Sequence, residues 1–416
     1  MGNAIETASK ALRNSAAPYL SILAFGVVIT KFLQYLWPYT VVLKGQPPAI
    51  PFMFAAFLAS LALWLLLRRY RIATRLLIVF LALLTLSWAL HIGIDIHHQD
   101  LFNHTAWLFV PMLMMILIKA PVPDDGWKAI SALAWTTSAV LVGTRVLEMV
   151  GVLSIRFVPA GINDFDKASY WLPLSDLMNI TARWPGPFGH NGDTAMMGAL
   201  LVVIGLARLK KSSWVFVSVG ILTLLLTGGR SSIGATIFGV VILLMFTNHR
   251  LVSRIPKYAR IVGGLIVLVV GAFLLFVGPT GLTGRQNIWP AFFELWKQHI
   301  WLGAGTGGIA VSGGITQDYG HAHDMYLDEL ARYGLAGALP LYAAIIIGLF
   351  ITVRSAIRGF AAPLAVLSAF LVTAVTETRN GWSHPSVTGF LVILCVATAA
   401  GWTVKDPKAT PMSLNP

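Results

Sequence analysis

Charge is what this chain has least of. Only 11% of its 416 residues are Asp, Glu, Lys or Arg, where a soluble domain carries roughly a quarter. A string of water-soluble domains is therefore excluded. Acidic residues are the scarcer kind, 17 against 30 basic ones, which leaves a formal net charge of +13. There is one cysteine, Cys395, set in an apolar run. No internal disulfide can form, and the residue reads as a small packed hydrophobe. No GxxxxGK[ST] phosphate loop appears, so nothing points to ATP use. HExxH and CxxC spacings are missing too, as are tandem repeats. No cleavable signal peptide is evident, because the first apolar segment is long and carries Lys31, and no lipid anchor is read, because Gly2 lacks the Ser or Thr at position 6 that myristoylation prefers.

Apolar residues are abundant: 56% of the chain, with a mean hydropathy of +0.75. They fall in blocks of about 17 to 22, enough to cross a hydrocarbon core as helices. The blocks lie near 19–36, 50–67, 76–91, 105–119, 129–150, 194–208, 213–228, 231–247, 261–277, 332–351, 360–376 and 386–402. The expected fold is an all-α polytopic membrane protein, a single transmembrane domain over residues 1–416 with about twelve helices. The segments between alternate blocks are basic, among them Arg68, Arg69, Arg71 and Arg75, then Arg208, Lys210 and Lys211, then Arg354 and Arg358. The positive-inside rule makes these segments cytoplasmic, with both termini inside. The net charge is thereby accounted for without nucleic acid. The long polar loops, 152–193 and 278–331, fall on the outer face. The tail from Asp406 to Pro416 reads as a short disordered end.

Several polar elements stand out against the apolar background. His91, His97, His98 and His104 cluster near Asp95, but no metal-ligand spacing supports a metal, and histidines at headgroup level explain them as well. Arg183-Trp184-Pro185-Gly186-Pro187-Phe188-Gly189-His190-Asn191 is irregular backbone next to a span. Such backbone is tolerated at membrane depth only where it is buried in protein or lines a wet cavity. Thr227-Gly228-Gly229-Arg230 is a turn so short that Arg230 must sit at the outer membrane surface or slightly within it. An Arg there is suited to holding a phosphate bidentately. Arg285 opens loop 278–331, and from Ile288 apolar residues recur at Trp289, Phe292, Phe293, Trp296 and Ile300. That spacing predicts a short amphipathic helix lying in the interface, followed by a flexible run at Gly303, Gly305, Gly307 and Gly308. Asp324 suits an N-cap, with Asp328 and Glu329 favoured at the positive helix end. His321 and His323 can line one site only from the loop before that helix. A His at the outer mouth of a bundle, near arginines that keep it neutral, can act as a general base.

Gly284-Arg285-x-x-Ile288-Trp289, Gly303-x-Gly305-x-Gly307, His323-Asp324-x-Tyr326-Leu327 and Gly334-Leu335-x-Gly337 together resemble the signature region of the O-antigen ligase and O-antigen polymerase superfamily. The Thr227-x-x-Arg230-Ser231 turn, the Gly186-Pro187-Phe188-x-x-Asn191 element and the large outer loop between the ninth and tenth helices are similar to that family too. The resemblance implies a GT-C-like bundle in the bacterial inner membrane with a periplasmic active site. It implies a glycan donor on undecaprenyl diphosphate, a lipid A-core acceptor, and no cofactor or metal. Carried over by position, Arg230 and Arg285 would grip the diphosphate with Arg183 as a third candidate. His323 would be the catalytic His, supported by Asp324. Asn191, Trp289, His321 and Tyr326 would contact substrate. Members usually carry Asn where this chain has Asp324, which puts a negative charge near a diphosphate. A ligase is expected; a polymerase shares these motifs, and a flippase for the same lipids is the reading from another class.

Overall fold

The computed structural model describes residues 75–97, 123–151, 184, 186–188, 191–208, 211–246, 285–375 and 387–404, with Val28 and Pro256 isolated. The expected spans at 19–36, 50–67, 105–119 and 261–277 lie outside them, as do His98, His104 and Arg183. Every expected span that falls on described residues is helical, and among these residues there is no strand. In chain order the helices are α1 (Arg75–His97), α2 (Pro123–Met149), α3 (Asn191–Arg208), α4 (Trp214–Thr227), α5 (Arg230–Phe246), α6 (Arg285–Gln298), α7 (Gly305–Val311), α8 (Gly314–Tyr319), α9 (Met325–Ile357), α10 (Ala362–Ala374) and α11 (Val387–Val404).

Among the described residues, two helices are long and apolar enough to cross a membrane: Asp125–Met149, with 25 residues, and Met325–Ile357, with 33. The outward face of α9 carries Leu339, Ile346, Phe350, Val353 and Ile357, all exposed. An apolar stripe turned outward along a helix is rare in water and natural against lipid. The protein is thus an all-helical one of membrane character.

Bundle helices joined directly in sequence run antiparallel. α1 packs along α9, with Phe80 against Gly348 near one end and His91 against Gly337 nearer the other. α3 packs against α4 so closely that Gly198 and Gly220 leave no room for a side chain between them. α5 lies on α10 and α3. The alternation sorts the helix ends into two sets. One end of the bundle gathers the starts of α3, α5 and α9 with the ends of α2, α4 and α10, through contacts such as Gly229 with Ala195 and Thr373 with Met196. The other end carries exposed Arg75, Lys128, Lys211, Arg354 and Arg358.

α9 begins at Met325 with Asp324 as its N-cap, as the sequence indicated: Leu327 N–H donates to Asp324 Oδ1 at 3.0 Å. Two details depart from expectation. The glycines after α6 are not a flexible run. Gly305 opens α7, and Gly303 is pressed backbone to backbone against Arg332. The amphipathic helix buries Ile288, Phe292 and Leu295, while Phe293 and Ile300 are exposed. The 3.6-residue period admitted a neighbouring face, and packing selected this one.

Candidate active site

α9 is broken near its start. Gly334 has φ 57° and ψ −165°, outside any helix. A break frees backbone groups that must find partners elsewhere. They find them in the chain just after α6. Leu335 N–H donates to Ile300 O at 2.8 Å and Ala336 N–H to Trp301 O at 2.9 Å, while Ala331 O accepts from Ala304 N–H at 2.8 Å. Gly303 (φ +69°) makes this possible, since a Cβ there would lie 2.2 Å from Arg332 O. The first part of α9 is thereby bolted to the segment that follows α6.

A small apolar core completes the union. Ile288, Phe292 and Leu295 of α6 pack with Ala304, Ile309, Ala322 and Ala331. Ala322 lies in the loop between the two histidines, so one core holds both α6 and that loop. The imidazoles of His321 and His323 stand 4.1 Å apart between ring centroids. They share one place because both precede the helix. His323 adopts φ 52°, the one left-handed residue other than glycine among those described. For a residue with a side chain this conformation costs about 1 kcal/mol or more and tends to mark functional positions.

Asp324 completes the loop. Burial lifts its carboxyl from the ordinary range to about 6; the backbone N–H groups of Leu327 and Tyr326 oppose the rise, Asp328 adds to it, and the Arg285 guanidinium opposes it. Arg285, first residue of α6, therefore lies within electrostatic reach of Asp324. The structure brings together the Arg, the two His and the Asp that the sequence singled out in this loop. Trp289 follows one turn after Arg285 on α6, its Nε1 buried and without an acceptor among the described residues. The Tyr326 hydroxyl donates to Leu371 O at 3.4 Å, and the Tyr342 hydroxyl donates to Tyr326 O at 2.6 Å. These bonds tie the start of α9 to α10 and to the helix below.

The helix starts that carry Arg230 and Asn191 lie at the same end of the bundle. Gly228, left-handed at φ 61°, closes α4, and Arg230 opens α5. Trp184 N–H donates to Leu226 O at 3.1 Å beside that turn, and its indole N–H donates to the buried Glu148 carboxylate. Asn191 opens α3. The side chains of Arg230 and Asn191 lie outside the described residues. His91 faces inward rather than to a headgroup layer: it is stacked on Tyr333 at 3.8 Å and its Nε2 lies 3.2 Å from Glu329 Oε2. Among the described residues no group of three His, Cys, Asp or Glu is placed to hold a metal.

Sequence reading missed the partners of Asp328 and Glu329. Asp328 joins Arg332 and the Ala322 backbone, and Glu329 meets His91 across helices. The four-residue spacing of Asp328 and Arg332 was a usable signal, because acid before base at that spacing forms a pair on a helix. The His91 contact has no local trace.

Residues 214–342 match a family model described as O-antigen ligase. The matched segment runs from α4 into α9 and holds Arg230, Arg285, Trp289, His321, His323, Asp324 and Tyr326, while Arg183 and Asn191 precede it. No curated protein matches the chain.

Proposed function

From the premise that residues 214–342 form an O-antigen ligase family region, we propose that the chain is a glycosyltransferase acting on lipid-linked glycans at the outer face of the bacterial inner membrane. It transfers O-antigen from undecaprenyl diphosphate to lipid A-core oligosaccharide. The observation that carries this reading is the meeting of Arg285 with the His321–Asp324 loop at one end of a helical bundle. Orientation follows from charge. Exposed Arg75, Lys128, Lys211, Arg354 and Arg358 stand at the opposite end, and Lys and Arg favour the cytoplasm. The histidine loop then faces the periplasm, in a bundle of about twelve spans.

The chemistry needs a base and a partner for the leaving group. His323 removes the proton from the acceptor hydroxyl as its oxygen attacks the anomeric carbon. The bond from that carbon to the diphosphate oxygen breaks, and undecaprenyl diphosphate leaves with the electron pair. The proton stays on His323, and the anomeric configuration inverts. Arg285 and Arg230 offset the charge that develops on the diphosphate, with Arg183 as a third cation. The donor is already activated, so no nucleotide is consumed. Trp289, His321 and Asn191 contact the sugars.

The deciding experiment is transfer by purified protein in liposomes, given undecaprenyl-diphosphate-linked O-antigen with and without lipid A-core. A single shift of the lipid A-core band supports the ligase. A ladder of longer lipid-linked chains without acceptor marks a polymerase, and movement of lipid without transfer overturns both. In the same assay Arg285→Ala lowers kcat/KM by about 10²-fold, the cost of losing one preorganised charge partner. Arg285→Lys recovers part of it, because an ammonium cannot bind two phosphate oxygens as a fork does. Equal activity of all three forms would remove Arg285 from the site.

Asp324 gives the reaction a pH signature. Its carboxyl is raised to about 6, so its stabilising contribution to the fold is full below the unfolded value and is lost as pH rises through about 6. Function runs the other way. The ionised form is the stronger cap and the better support for an imidazole that must accept a proton. Transfer rises as pH increases through about 6, and Asp324→Asn, which keeps the cap, loses that part of the profile. Superimposable profiles for the two proteins would show that the charge on Asp324 plays no part.

A further inference from the structure

The loop that carries both histidines is gripped from below by a buried ion pair on α9. Asp328 and Arg332 are almost fully buried. Asp328 Oδ1 accepts from the Ala322 N–H at 2.9 Å, and Asp328 Oδ2 accepts from Arg332 Nε at 2.7 Å. The Arg332 Nη2 group then donates to Gly320 O. One carboxylate and one guanidinium thus hold the backbone at Gly320 and at Ala322, either side of His321 and immediately ahead of His323. Ala322 is itself wholly buried in the small core beneath α6, and Asp324 fixes the far side by capping α9. Arg332 is in turn held in place, because the backbone on either side of it pairs with the segment after α6.

We propose that Asp328 and Arg332 are positioning residues for the acceptor-activating histidine: they hold the loop so that His323 keeps its left-handed backbone beside Asp324. Three facts converge on this role. A left-handed residue with a side chain persists only where its surroundings over-determine it, and here the anchors flank that residue. A buried ion pair gives little net stability compared with apolar side chains of the same volume, so its presence calls for another use. Both carboxylate oxygens and two guanidinium nitrogens are engaged, and the loop backbone takes one bond from each side chain. The proposal rests on His323 as the base, so its test includes a measurement that does not need catalysis.

The test uses the full-length protein with Asp328→Asn, Arg332→Lys, and the double substitution Asp328→Asn/Arg332→Met, which removes both charges and leaves neither buried alone. Lys297→Ala, which removes only an exposed pair with Glu294 and a contact of the ammonium with the Phe293 ring, is the control. Two readouts are taken on folded protein. The first is the split between kcat and the donor KM. The second is the rate at which diethylpyrocarbonate modifies His321 and His323, followed by mass spectrometry against exposed His299. The double variant is expected to lose kcat by about tenfold or more, since small misplacement of a reacting group is that costly, with donor KM little changed and altered modification rates at both loop histidines. Arg332→Lys, which keeps a charge for Asp328 but cannot also span to Gly320, shows a smaller loss of the same kind and serves if the double variant does not fold. Placed in a His323→Ala background, the brace substitutions add no further loss. A folded variant with wild-type kcat and unchanged modification rates overturns the proposal. If His323→Ala itself keeps full activity, the catalytic reading falls, and the modification rates alone decide: altered rates sustain the brace, unchanged rates reject it.

Discussion

His323→Ala abolishes glycan transfer in the reconstituted assay and leaves the protein folded. The expected loss is about 10²- to 10⁴-fold, the usual contribution of a positioned general base. Two features separate this substitution from an ordinary loop change. His323 sits at φ 52°, and Ala tolerates that conformation no better, so strain is not relieved and the loop keeps its anchors at Ala322 and Asp324. His321→Ala is the internal comparison. Its ring is 4.1 Å from that of His323, close enough to share the site, yet its proposed role is contact with substrate. It therefore raises KM more than it lowers kcat. Size-exclusion profiles and thermal unfolding in detergent check that both variants are folded. Near-normal turnover by His323→Ala would end the proposed mechanism.

Gly303→Ala is expected to be the most damaging substitution of a single hydrogen by a methyl group. The new Cβ would lie 2.2 Å from Arg332 O and 2.4 Å from Tyr333 N. Neither is the end of a flexible side chain, so backbone must move. The pairing that repairs the break in α9 then separates, leaving the amides of Leu335 and Ala336 and the carbonyl of Ala331 without their present partners. The left-handed backbone adds roughly 1–2 kcal/mol of strain, and overpacking a further 1–3 kcal/mol or so. Against a total stability of roughly 5–15 kcal/mol, the loss is a large fraction. Gly313→Ala is the control, because Gly313 has φ +75° and open space where its Cβ would go. It bears the strain without the collision. Melting temperatures in detergent should fall far more for Gly303→Ala; equal falls would show that the approach to Arg332 is unimportant.

The parts of the site that could be read from sequence are those governed by short-range chemistry. Asp324 as a cap follows from its residue type one position before an apolar helix. The shared position of His321 and His323 was legible only as a condition, that both precede the helix, and the tight turn ahead of Arg230 followed from paired glycines. Among the described residues, helix existence was legible wherever apolar runs were long. What could not be read depends on backbone meeting backbone across a long stretch of chain. Gly303 looked like one member of a loose glycine run because nothing local says that Arg332 will lie against it. The helix capped by Asp324 looked continuous into the span from 332, yet its first turns lie above a break at Gly334 whose repair comes from residues 300–304. His91, grouped by sequence with its neighbouring histidines, is turned instead toward Glu329 on a helix far along the chain.

The core that joins α6 to the histidine loop is distinct from the main one. Ile288, Phe292, Leu295, Ala304, Ile309, Ala322 and Ala331 form it, and the bundle helices pack in a separate cluster. A small core with its own backbone staples is the makeup of a cooperative unit that opens at a lower free energy than the whole. The end of the molecule that carries the histidine loop is therefore built around a core of its own, stapled to the bundle through α9. The proposed donor and acceptor both carry saccharides on a lipid, and a unit that opens at a lower free energy than the bundle would let such chains reach the loop.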